Sequence, residues 1–212
     1  MIHAIAPQAT NDSFRRPAAR LAVVALTAMG FVASAAGVAM AGAPDFLRTR
    51  DLPRGHSWSA AGVETGVPAG REFCLSRTIP ADSTLYQRYA DGLDATVIEY
   101  IHTSDSEADA IALVKQETRR LKTCTARWLQ HEPNGSAEFK SYGRQPVEDG
   151  VSSSGVFTYP PQADPSATLF AVGRDGTTVT IVRFGQIGTS ADADVDDFLR
   201  SARLATDRML AT

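Results

Sequence analysis

The sequence predicts an α+β domain in which a mostly antiparallel sheet packs against two helices and one disulfide ties the parts together. Three observations lead there. Two stretches, Ser104–Gln130 and Thr189–Leu210, repeat apolar residues at steps of three and four, the spacing that lines one face of a helix. The segments around them are rich in β-branched and aromatic residues and are separated by Gly, Pro and Asp clusters, which is how strands and their turns read. Finally, the chain holds only two cysteines, Cys74 and Cys124, so a single bridge can form.

The N-terminus places the chain in its compartment. Arg15, Arg16 and Arg20 precede an uncharged run from Leu21 to Ala43, with small-residue cleavage patterns at Ala33-Ser34-Ala35 and Ala39-Met40-Ala41. Residues 1–41 therefore read as a secretory signal or, since about 20 apolar residues span a bilayer, as an uncleaved anchor. The expected localisation is secreted or extracytoplasmic, with any membrane attachment made through this segment alone. Its removal takes away three arginines and one aspartate and moves the formal charge from −3 to −5. An acidic domain with few lysines is a poor partner for nucleic acid, which demands clustered cations.

Residues 42–70, rich in Gly, Pro, Ser and Ala, read as a flexible lead-in that joins the fold near Trp58, ahead of a domain at 71–212. Arg71 to Arg77 is a strand candidate with Phe73 and Cys74 facing inward, and Leu85–Tyr89 with Ala95–Thr103 reads as a hairpin turning at Gly92. Ser104-Asp105-Ser106-Glu107 is a capping signature, after which Ile111, Val114, Thr118, Leu121, Cys124 and Trp128 form the expected buried stripe. Thr123 and Thr125 lower helix propensity and mark a point where this rod can break. Ala137–Val147 and Ser154–Tyr159 read as strands joined through Glu148-Asp149-Gly150. Asp175-Gly176 then centres a two-residue hairpin that pairs Arg174 with Thr177, opposes Val172 to Val179 and Phe170 to Ile181, and gathers those four on one face. The opposite face, with Leu169, Ala171, Gly173, Thr178, Thr180 and Val182, reads either as a solvated sheet surface or as the floor of a shallow groove.

Recognisable catalytic chemistry is sparse, and the expectation is a protein that is not an enzyme. Gly55-His56-Ser57-Trp58-Ser59 departs from the nucleophile elbow of serine hydrolases at its last position and lacks the preceding buried strand. Asp192, Asp194, Asp196 and Asp197 depart from a calcium loop at its turn glycine and its closing glutamate, and read instead as helix-start acids. No histidine pair has metal-ligand spacing, and no phosphate loop or dinucleotide fingerprint occurs, so neither metal nor cofactor is expected. Glu99 and His102 lie three apart on one strand and so point to opposite faces.

The order of features, from the Leu52-Pro53 lead-in toward Trp58, through Cys74, Tyr89, Ala95-Thr96-Val97 and Lys122-Thr123-Cys124, to the Asp175-Gly176 hairpin and closing helix, resembles the PknH-type extracellular sensor domains of actinobacteria. That resemblance implies a curved sheet with a cleft and a non-enzymatic, sensor-like module that binds a small molecule or cell-envelope ligand. Tyr100, Tyr142, Thr178 and Thr180 are the candidate binding residues. The alternative is a structural or protein-interaction module with an envelope protein as partner.

A Cys74–Cys124 bridge would close a loop of about 50 residues, worth roughly 4 kcal/mol in the chain-entropy description. Thermal denaturation of the double serine variant is expected to show a melting point lowered by several degrees; an unchanged one would remove the staple from the account.

Overall fold

The computed structural model describes residues 44–69, 72–75 and 79–209, all within one unit of the chain, Met40–Thr212. The export segment expected at 1–41 lies outside the described residues, and among these no helix is long and apolar enough to cross a membrane. In chain order the elements are β1 (Ser59–Ala60), β2 (Glu64–Thr65), β3 (Thr84–Ala90), β4 (Thr96–Thr103), α1 (Glu107–Lys122), α2 (Cys124–Leu129), β5 (Ser136–Gln145), β6 (Val151–Tyr159), β7 (Ser166–Asp175), β8 (Thr178–Ile187) and α3 (Val195–Arg208). This is an α+β fold. All strand pairs are antiparallel and follow the order β1-β3-β4-β8-β7-β6-β5, with β2 also pairing to β3.

The β7–β8 hairpin keeps the expected face but shifts register by two. Asp175 pairs with Thr178, so Val172 opposes Ile181 and Phe170 opposes Arg183. Gly176, at φ +51°, is the first central residue of the turn, and Thr177 has no positive φ, which fits the type II′ class rather than the I′ turn that Asp-Gly suggests. A shift of two leaves side-chain parity intact, and Phe170, Val172, Val179 and Ile181 do share one core.

That core lies under α1 and α2, with Ile98, Tyr100, Val156, Ala110, Leu113, Leu121 and Cys124. The opposite face is not semi-exposed. Leu169, Ala171, Val182 and Phe184 meet Phe198, Ala202 and Ala205 of α3, with Leu47 and Leu52 of the lead-in. The lead-in thus enters the core from Phe46 onward rather than near Trp58, and contacts with α3 stitch it there. Arg208 reaches Asp51 at 2.6 Å, Ser201 Oγ donates to the Asp51 carbonyl at 2.5 Å, and Arg54 clasps Asp197 through backbone and side chain. These bonds hold the Asp197 carboxyl down at about 2. Helix α3 begins later than expected, at Val195, because Asp194 rather than Thr189-Ser190 caps it.

The long rod breaks at Thr123, whose hydroxyl bonds back to the carbonyls of Arg119 and Arg120. The break decouples the phases of its two halves. Helix α1, capped by Ser106, buries Ala110, Leu113, Glu117 and Leu121, while Ile111, Val114 and Thr118 are only half-buried. A stripe extrapolated from Cys124 and Trp128 misses this rotation.

Glu99 faces the α3 side, fully buried, with Oε2 accepting from the Leu47 amide at 2.8 Å and Oε1 without a partner among the described residues. Burial pushes its carboxyl from 4.5 up to about 8. The folded state therefore holds a proton that the unfolded chain releases, so stability is fully present below about 4.5 and drains away as pH rises through 8. His102, held neutral by burial, gives the opposite slope only below its ordinary 6.5, which leaves the range above it to Glu99. Urea titrations between pH 6.5 and 8 are expected to lose on the order of 1.5 kcal/mol, and Glu99→Gln to flatten that decline. An equally steep decline in the variant would assign it elsewhere.

Candidate functional site beside the disulfide

Cys74 and Cys124 are joined, with Cα atoms 5.4 Å apart. No strand forms at the described residues Glu72–Leu75; the backbone bends there and Cys74 takes φ +65°, in the left-handed region that a β-strand cannot use. The staple therefore joins α2 to an irregular segment lying over the sheet, and a cavity of about 710 Å³ opens beneath it. Its floor is Tyr100 of β4, and its apolar walls include Phe73, Leu75 and Trp128. Arg120, Arg127 and His131 bring the polar groups.

The arginines are fixed in place. Arg120 Nε donates to the Leu75 carbonyl at 3.0 Å, and Arg127 donates to the Arg120 carbonyl at 3.0 Å. Burial, then the neighbouring Arg120, lowers the Arg127 guanidinium. Glu72 lines this cavity and also a second one of about 510 Å³ toward β1 and β3, so it forms the partition between them. Behind it Arg183 of β8 lies 3.7 Å from the Glu72 carboxylate with its buried Nε unpartnered among the described residues. Burial lowers the Arg183 guanidinium and raises the Tyr100 phenol. Arg183 lines the second cavity, while the disulfide cavity, apolar with the anchored cations Arg120 and Arg127 on its wall, is suited to hold an anionic or aromatic group.

The four sequence-derived binding residues are not brought together. Tyr100 lies on the α1–α2 side, in the cavity floor. Thr178 and Thr180 point to the α3 side, and Tyr142, the extra residue of a bulge in β5, packs against the α3 core. The small residues there are small because a helix is close: a Cβ on Gly173 would sit 2.4 Å from Thr206 Oγ1. Thr180 is 1% exposed and floors no groove. Arg120 and Arg127 were missed as site residues, and Arg183 as a lining residue of the neighbouring cavity, since each sits in an element whose neighbours read as core or helix surface.

Other polar groups have structural partners. His56 Nδ1 meets Asp91 Oδ2 at 2.8 Å, a bond that holds the Asp91 carboxyl below its usual range, while the His56 ring packs on Trp58 and Phe184. His102 Nδ1 meets Thr84 Oγ1 at 2.8 Å across β3 and β4.

Comparison of the chain with models of known protein families, with curated proteins and with solved structures finds no match.

The Thr180 hydroxyl is buried without a hydrogen-bond partner among the described residues. Thr180→Val keeps the shape and removes the unsatisfied group, so chemical denaturation is expected to show a gain of about 1 kcal/mol. A loss of similar size would show that the hydroxyl is bonded in solution.

Proposed function

We propose that this is an extracytoplasmic, sensor-like binding module without catalytic activity, which takes a small molecule or cell-envelope fragment in the cleft beside the disulfide. The observation that supports this reading best is the cavity itself, large enough for a ligand, floored by a sheet tyrosine and held open by a covalent staple. A structural disulfide is at home in an oxidising compartment, in keeping with an export segment at residues 1–41. The resemblance to PknH-type sensor domains points the same way. Two hydrophobic side chains at one end of the sheet, Leu93 at 89% exposure and Ile187 at 55%, sit on segments joined by an Asp94–Ile187 hydrogen bond. They favour, as second reading, an interaction module of the cell envelope.

Native mass spectrometry of the oxidised protein purified from its own host is expected to show an additional non-covalent mass that disappears on denaturation and is lost in Arg127→Met. Trp58→Phe leaves Trp128, the only other tryptophan, as a fluorescent reporter on the cavity wall. Bare monomer together with a silent Trp128 across a panel of envelope fragments would defeat the binding reading, and a dimer lost in Leu93→Asp would establish the second.

A further inference from the structure

A third cavity, of about 450 Å³, lies on the far side of α1 and shares no lining residue with the disulfide cleft. One wall is the half-buried stripe Ile111, Val114 and Thr118, at the margin of the α1–α2 core, against which Val114 still packs on one side. The sheet residues that line the cavity opposite that stripe are not apolar. On β5 and β6 the adjacent groups are Arg144 and Ser152, paired across the strands, and Gly150 at the preceding turn. Apolar helix and polar sheet thus stand apart, with a concave gap between them.

The rim of this gap is cationic. Lys115, Arg119 and Lys122 project from α1, exposed, and none of them forms an ion pair among the described residues. Arg144 bonds to the Asp149 carbonyl, and Arg174 is already matched by Glu107 at 3.1 Å and Asp149 at 3.0 Å. Asp149 is the single acid on the lining. In a chain of net charge −3 with only three lysines, two of them stand at this groove. Three cations without ion pairs among the described residues, beside a half-buried wall, make a local field opposite in sign to the molecule's own.

We propose that this groove binds a single-chain amphiphile with an anionic head, a long-chain carboxylate or a molecule of that type. The apolar body lies along Ile111, Val114 and Thr118, and the head is held among Lys115, Arg119 and Lys122. Concavity of ligand size selects a single molecule over a bilayer, whose surface would meet the lysines but not the recessed stripe. The lysine and arginine stems extend the apolar surface while their heads meet the anion. This inference is independent of the disulfide cleft, and its failure would leave that reading standing.

The test uses the isotopically labelled full-length oxidised protein, titrated with sodium laurate below its micelle concentration while amide resonances are followed. Shifts are expected at Ile111, Val114, Thr118 and Ser152. Dodecylammonium, of equal chain length and opposite charge, is expected to leave them unmoved. Lys115→Glu with Lys122→Glu, both exposed and harmless to the core, is expected to weaken laurate binding about tenfold. Equal binding of both amphiphiles, shifts centred on Phe73, Tyr100 and Trp128 instead, or no shifts at all would overturn the proposal. So would binding confined to phosphatidylglycerol vesicles, which would make the basic rim a membrane contact.

Discussion

The constraint on which the structure depends is the burial of both faces of the β7–β8 hairpin. Because side chains alternate along a strand, a hairpin covered on both sides must send successive residues into two separate cores. Here Phe170 and Val172 go to the α1–α2 side and Leu169 and Ala171 to the α3 side, all of them at most 1% exposed. β4 and β6 continue both cores outward through Val97 and Ile98 and through Phe157 and Val156. A sheet of this kind requires cover on both faces, and the chain provides it with α1 and α2 from the middle of the sequence and α3 with the lead-in from its two ends.

That requirement explains which parts were legible. The main strands, the hairpin turns and both helical stretches announce themselves through local signals: periodicity, Gly and Asp at turns, and a cap at Ser106. The disulfide was legible by elimination. What local signals could not convey was the role of the lead-in, because its anchoring is entirely long-range. Leu47 bonds to Glu99, Arg54 to Asp197 and Asp51 to Arg208, and a Gly- and Pro-rich segment shows none of those partners in its own composition. Small residues misled for a related reason. Gly173 and Thr180 are compatible with an open groove or with a closely packed helix, and only the position of Thr206 distinguishes the two. Neither candidate cavity was legible as such, since each is made where elements distant in sequence fail to close.

Buried ionisable groups divide by the same logic. Asp197 is buried but clasped by Arg54, and its charged form is favoured. Glu99 is buried with a single backbone donor and no cation in contact, so its neutral form wins. Arg183 cannot release its proton in a protein, so its remedy is the distant Glu72 and an open Nε donor. Arg183 is also a lining residue of the cavity toward β1 and β3.

The groove beside α1 and the cleft beside the disulfide both lie on the α1–α2 side, and the break at Thr123 accounts for that placement. An unbroken helix through Cys124 would carry one apolar stripe with one phase, and that stripe could close against the sheet along its full length. Once the chain kinks, the α1 segment settles on Ala110, Leu113 and Leu121, which turns Ile111 and Val114 toward the β5–β6 side and leaves the first gap there. The α2 segment carries Cys124 to its bridge, and the irregular backbone around Cys74, bound by that bond and by Arg120, stands off from Tyr100 and leaves the second. The α3 face has no such interruption, and its single helix packs closely enough that Gly173 is the only residue that fits beneath Thr206. The asymmetry between a closely packed face and one with gaps thus follows from one threonine that bonds back to its own helix.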